Sequence, residues 1–285
     1  MLDAFLNFEL LRNTFYTGLI VGLIAPLLGS FIVVRRLSLI ADGLSHVTLA
    51  GLAFGLFMRK KYALVALTPF HTGIIFSIIG ALIIEQLQSI YKGFQEIAIP
   101  ITLSVGVGLS IIFIALADGI NTDIFAYLFG SVAAVSRNDL YLIIFISLFV
   151  IITVIALYRD LFSLSFDEEF AAVSGVRAKF VHIVFIIMTA LVISSSIRIV
   201  GVLLVSALTT LPVATSMRIA NSFKQTIFYS IIYGETAVII GLITGYYFEI
   251  PPGGTIVIAS ALLLCLTLLF KKIYMYVTIN KDGSR

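Results

Sequence analysis

Apolar residues run through this chain in long, almost unbroken stretches joined by short polar segments, with neither the strict alternation of half-buried strands nor the one-sided stripe of surface helices. Crossing a hydrocarbon core of about 30 Å takes about 20 apolar residues in a helix. Windows of that kind fall near 14–34, 38–58, 63–85, 98–117, 139–158, 179–197, 199–217, 225–248 and 254–270. In lipid every backbone polar group must be satisfied internally, so the pattern predicts an all-α polytopic membrane protein with about 8–10 transmembrane helices. Gly106, Gly108 and Pro212 mark places where a helix can be interrupted. Gly18-x3-Gly22 and Gly51-x3-Gly55 are small-residue patches of the kind that bring helices close together.

The polar joints orient the chain. If 159–178 faces the cytoplasm and nine segments cross, the inside holds Arg35, Arg36, Lys92, Arg159, Arg177, Lys179, Arg218, Lys224, Lys271, Lys272, Lys281 and Arg285. The outside then holds only Arg12, Arg59, Lys60, Lys61, Arg137 and Arg198. This bias puts the N-terminus outside and the C-terminus inside, with the triplet 59–61 running against it. The stretch 118–138 predicts a short outward-facing helix that dips into the bilayer.

Composition narrows the class. Hydrophobic residues make up 60% and charged residues 12% of the 285, against about 45–50% and about 25% in soluble domains. Cys265 is the single cysteine, so there is no disulfide framework and no thiolate metal site, and it reads as inert helix packing. The net charge of +3 is small and its basic residues sit at helix ends, which points to membrane orientation and away from nucleic acid. No cleavable signal peptide is expected, because Asp3 and Glu9 stand where a basic region would be needed. No Gly-x4-Gly-Lys-Ser/Thr loop occurs, so the chain is expected to be no enzyme and to draw energy from a partner's ATP hydrolysis or from an ion gradient.

Two stretches carry chemistry. Residues 35–51 read Arg-Arg-Leu-Ser-Leu-Ile-Ala-Asp-Gly-Leu-Ser-His-Val-Thr-Leu-Ala-Gly, with Asp42 and His46 four apart in an apolar run and therefore on one helix face. An ionised acid at the bilayer centre costs roughly 3 kcal/mol on insertion scales, so an acid held there marks a substrate or ion path. The plainer alternative is a polar pair bonded to Ser45 or to a neighbouring helix. The second stretch is 159–177. Ser165 and Glu168 predict a capping box, Asp167, Glu168 and Glu169 suit a helix N-terminus, and Gly175 suits a left-handed stop. The expected product is a helix of two to three turns carrying an apolar ridge of Phe166, Phe170 and Val173, for which a cytoplasmic partner is a better match than an anionic membrane surface.

These stretches, with Tyr127-Leu-Phe-Gly130-Ser, Phe166-Asp167-Glu168-Glu169-Phe170-Ala171-Ala172-x-x-Gly175, Val200-Gly201-x-Leu-Leu-Val-x-Ala-Leu-x-x-Leu-Pro212 and Pro252-Gly-Gly254-Thr-Ile-Val, resemble the permease subunits of bacterial zinc, manganese and iron ABC importers, the ABC-3 family. The resemblance implies a single transmembrane permease domain over 1–285 in the bacterial cytoplasmic membrane, distantly similar to vitamin B12 importers. It implies a second permease copy, cytoplasmic ATP-binding subunits, an extracytoplasmic metal-binding protein, and membrane lipid around the whole. It further implies a metal site at Asp42 and His46 and an ATPase-coupling helix near 166–175, with zinc favoured over manganese by the His46-Val-Thr-Leu-Ala-Gly run.

The chemistry agrees with that implication. Side chains at i and i+4 have Cβ atoms about 5–6 Å apart, so a carboxylate and an imidazole reach one cation at about 2.1 Å. A two-fold axis would add a second pair, giving two oxygens and two nitrogens and neutralising a divalent charge. No intrinsic cofactor is expected, Zn2+ or Mn2+ being substrate. Glu235 is the other intramembrane acid, either bonded to a Tyr or Thr or a second step of the path. Asp118 and Asp123 are candidates for attracting an arriving cation, His71 reads as interfacial, and His182 as wet. The rival reading is a proton-driven secondary metal transporter using Asp42, His46 and Glu235 as a relay.

Overall fold

The computed structural model describes residues 8–62, 68–91, 93–117, 119, 122–132 and 135–282. Among the described residues there is no strand and there are twelve α-helices. They are α1 Glu9–Val34, α2 Ile40–Tyr62, α3 Pro69–Ile90, α4 Ala98–Leu116, α5 Thr122–Phe129, α6 Arg137–Ala156, α7 Tyr158–Phe166, α8 Glu168–Val173, α9 Ala178–Val200, α10 Val205–Ser216, α11 Phe223–Phe248 and α12 Pro252–Asp282. Eight are long and apolar enough to cross a membrane: α1, α2, α3, α4 with the 3-10 turn before it, α6, α9, α11 and α12.

Contacts sort the helix ends into two groups that match the charge bias. At the inner end, Phe31 near the close of α1 meets Phe223 at the start of α11 and Tyr158 at the start of α7, with ring centroids 5.0 and 6.3 Å apart. At the outer end, Arg198 in the last turn of α9 pairs at 3.0 Å with Asp139 in the first turn of α6. Asp139 also completes a capping box with Ser136.

The window 199–217 is the one the structure redraws. Its first residues finish α9, Gly201 turns the chain with φ 83°, and only the 12 residues of α10 are helical. Twelve residues rise about 18 Å, too little to cross alone. The chain nevertheless passes from Val200 at the outer end to Arg218 at the inner end, where the Lys271 ammonium bonds the Arg218 carbonyl. Pro212 lies inside this short helix, whereas α4 runs unbroken through Gly106 and Gly108.

Helix α2 is the most enclosed: 78% of its most apolar window is buried, against 28% for that of α4. Small residues make this enclosure possible. A Cβ on Gly51 would stand 2.6 Å from the Thr72 carbonyl of α3, and one on Gly106 of α4 would stand 2.8 Å from the backbone nitrogen of Val47. Gly18 and Gly22 do the same service for α1 against Leu242 and Val238 of α11. Both patches picked out by spacing are therefore packing faces.

The outer end closes at a junction of three of the quoted motifs. The α5 carbonyls of Tyr127 and Leu128 accept from the N–H groups of Val202 and Leu203 at 2.9 and 3.3 Å. A Cβ on Gly130 or on Gly253 would stand 1.9 Å from the carbonyl oxygen of Ile199 or Val200. The Arg198 guanidinium lies between the rings of Phe70 and Tyr127, 4.9 and 5.2 Å from their centroids. Helix α5 is the short outer helix expected within 118–138, and it tucks Ile124 and Tyr127 into the bundle.

Overpacking a tight contact costs typically 1–3 kcal/mol or more. Gly51→Leu is therefore expected to lower the unfolding temperature of the detergent-purified protein clearly, while Gly108→Ala, whose Cβ would meet nothing within 4 Å, leaves it unchanged or slightly raised. A thermal melt of the two variants side by side checks this.

Candidate metal and coupling sites

Asp42 and His46 occupy the first two turns of α2 and so lie in its inner half, Asp42 close to the inner end. The turn that delivers them is tightly held. Leu37 N–H bonds the Ile32 carbonyl at 3.0 Å, Ile40 N–H bonds the Leu37 carbonyl at 2.9 Å, and Arg36 takes a left-handed conformation with φ 58°. A carboxylate in a first helical turn is favoured by the unsatisfied N–H groups there. Around the pair, Ala41, Gly43, Leu44, Ser45 and Val47 are buried, while Asp42 and His46 themselves are half-buried. The His46 carbonyl accepts from Ser110 Oγ of α4 at 3.1 Å, which fixes the helix under the imidazole.

Neither the Asp42 carboxylate nor the His46 imidazole hydrogen-bonds another described residue, and Ser45 Oγ is buried without a partner among them. A pair satisfied by Ser45 is thus not what the chain builds. Among the described residues no three His, Cys, Asp or Glu side chains gather as a metal-holding group. This chain supplies two donors at Asp42 and His46, and a full coordination shell needs donors from elsewhere.

Glu235 stands apart, between α11 and α1. Its Oε2 is buried with no hydrogen-bond partner among the described residues, and its carboxyl carbon is 3.3 Å from where a Cβ on Gly22 would be. The nearby Tyr233 hydroxyl bonds Thr267 instead, at 3.1 Å. Among the described residues no hydrogen bond or ion pair joins Glu235 to Asp42 or His46, and the three do not gather as one group. Asp118 lies outside the described residues, as does the side chain of Asp123. His71 is exposed and bonds Thr68 at the start of α3, as an interfacial histidine would. His182 is not wet: its side chain is 16% exposed and is held between Arg35 and Glu85. Sequence reasoning passed over Glu85, whose partner lies far away in the chain.

The stretch 159–177 folds as two helices, α7 and α8, with a break at Asp167. Ser165 does not cap; its hydroxyl bonds back to the Leu161 carbonyl at 2.6 Å inside α7. The cap is Asp167, extended at φ −154° and ψ 103°, whose Oδ1 accepts from Phe170 N–H at 2.8 Å. Asp167 takes the cap because its backbone is extended at the break and its Oδ1 reaches the third N–H, whereas Ser165 is still inside α7. Helix α8 is consequently six residues and less than two turns. Its end is as expected: Gly175 takes φ 85° and Val176 N–H reaches the Ala171 carbonyl at 3.1 Å, a Schellman stop. Phe166, Phe170 and Val173 are 58, 64 and 88% exposed, while Ala171 is fully buried and anchors the helix. Glu169 is exposed, and the side chains of Glu168 and Ala172 are not among those described.

The comparisons with known proteins agree on one family. Residues 7–271 match the model of the ABC 3 transport family. The chain belongs to that family. The manganese import system permease protein ScaB of Streptococcus gordonii is 32% identical over 259 residues, 90% of each chain. The high-affinity zinc uptake system membrane protein ZnuB of Haemophilus influenzae is 30% identical over 265 residues, 93% of this chain and 98% of that one. The solved structure of PsaBC from Streptococcus pneumoniae in complex with Fab superposes with a TM-score of 0.83 at 30% identity, covering 97% of this chain and 98% of that chain. As a family member the chain is a permease subunit, a multi-pass protein of the plasma membrane.

Removing an N-cap costs about 1 kcal/mol, which for a six-residue helix is decisive. Asp167→Ala is expected to speed amide exchange across 168–173 several-fold while α9 keeps its protection, as hydrogen–deuterium exchange would register.

Proposed function

We propose that this chain is the permease of an ATP-driven importer that carries a divalent transition metal into the cytoplasm, with Asp42 and His46 as its donors. The observation that carries the reading is a carboxylate and an imidazole one turn apart, half-buried on an otherwise buried helix, that bond no other described residue. A second copy related by a two-fold axis would supply the other pair, and two carboxylates would balance the charge of the cation. Two oxygens and two nitrogens suit four-coordinate zinc, while manganese takes the same set with added water. The names of the relatives divide between the two metals, and the donor set puts zinc ahead. Without thiolates the site holds metal weakly enough to release it.

Energy enters through α8. Phe170 and Val173 on α8 are exposed beside Glu169, with exposed Phe166 closing α7 just before them. This apolar surface is suited to a protein, here a cytoplasmic ATP-binding subunit, while an extracytoplasmic metal-binding protein would deliver the cation to the outer end. Glu235 is a later candidate on the cation path, and Asp118 and Asp123 are candidates near its mouth.

Asp42→Ala and His46→Ala are each expected to reduce zinc uptake to background in cells while the permease still co-purifies with its ATP-binding partner. Uptake at the unmodified level in either variant overturns the site. Reversing the charge at Glu168 and Glu169 together should strip the ATP-binding subunit from the purified permease; undiminished co-purification would remove α8 as the dock. Zinc entry into vesicles driven by a proton gradient in the absence of ATP would favour the secondary-transporter alternative.

A further inference from the structure

Three ionisable side chains from three regions meet at the inner end. The Arg35 guanidinium, one residue past α1, lies 2.5 Å from Nδ1 of His182 in α9. Nε2 of the same ring lies 2.6 Å from the carboxylate of Glu85 in α3, and the two side chains are 16 and 19% exposed. A guanidinium only donates, so Nδ1 accepts and the ring proton sits on Nε2, beside the Glu85 carboxylate. A neutral imidazole thus bridges a cation and an anion. Arg35 also stacks over the Phe185 ring, 4.8 Å from its centroid.

The triad belongs neither to the metal pair nor to the docking ridge, yet it touches what connects them. On one side, Arg35 opens the tight turn into α2, seven positions before Asp42. On the other, the triad lines a cavity of about 390 Å³ whose facing wall is Leu164, Ser165, Phe166 and Asp167, the end of α7 and the cap of α8.

We propose that Arg35, His182 and Glu85 are positioning residues that latch the inner end shut beneath the metal pair. Movement of α7 and α8 by the ATP-binding subunit parts them, frees the start of α2 and lets the cation leave. The inference deepens the transport reading above and rests on it. Separating partly buried charges without new partners is costly, so the latch has two states, closed or hydrated. The cavity accommodates the second state, holding roughly a dozen waters at about 30 Å³ each.

The test uses the permease with its ATP-binding and metal-binding partners in proteoliposomes, scoring radioactive zinc moved per ATP hydrolysed and, separately, zinc retained by the detergent-purified complex. Glu85→Gln keeps the shape and removes the charge; His182→Ala removes the bridge. Each is expected to retain zinc within about twofold and to keep hydrolysing ATP, while zinc moved per ATP falls about tenfold or more, with the double variant no worse than either single one. An unchanged ratio, or losses that add independently, overturns the latch. Loss of retained zinc in Glu85→Gln also overturns it and makes Glu85 a ligand. Retained zinc in Asp42→Ala would instead sink the metal-pair reading and leave the coupling ratio to judge the latch. A second experiment does not depend on the charges. With Cys265→Ser, Glu85→Cys and His182→Cys joined by a short bridge held through reducible disulfides, transport should fall below the already lowered level of the same variant unbridged and return to that level on reduction. Transport while bridged equal to that of the unbridged variant refutes the proposal.

Discussion

Backbone-to-backbone contact around α2 is the constraint on which the rest of the structure depends. In lipid there is no hydrophobic drive between helices, so association rests on close fit, and small residues provide it. Gly51 brings α2 against the Thr72 carbonyl, and Gly106 brings α4 against Val47. A helix gripped on those sides has little freedom to shift by itself. Asp42 and His46 ride on its first turns, so their position is set by α3 and α4 and by the turn that Arg35 and Arg36 make before them. Side chains placed on such an element are positioned by packing and need no hydrogen bonds from their neighbours to hold them.

The two ends of the bundle are closed by different means. Outside, Arg198 pairs with Asp139 between two rings, and three backbone segments meet where side chains have no room. Inside, the closure passes through an imidazole and borders a cavity. The outer closure brings backbone against backbone and the inner one side chain against side chain, so the two ends open by different local changes.

Much of this was legible in the sequence, and the failures have physical causes. Apolar windows found eight long helices because the length of a crossing is dictated by the bilayer. They overstated 199–217, where apolar composition continued through a loop that glycine at 201 imposes and hydropathy cannot see. The spacing of Asp42 and His46 gave the pair, since four residues is one helical turn. His182 was misread because its partners, Glu85 and Arg35, are about a hundred or more positions away, and composition carries no information about such contacts. At 165–168 two acceptors were available for a cap, and the end of α7 at Phe166 left Asp167 extended and Ser165 still helical, which a motif cannot foresee.

The shortness of α10 has a consequence for how that segment is held. Its 12 residues are too few to partition stably into lipid from the translocon on their own. The irregular backbone on either side would be still less welcome there. Thr209 of α10 lies so close to α1 that a Cβ on Gly29 would stand 2.0 Å from its carbonyl. The segment is therefore seated by protein more than by lipid, and its place in the bundle depends on its fit against α1.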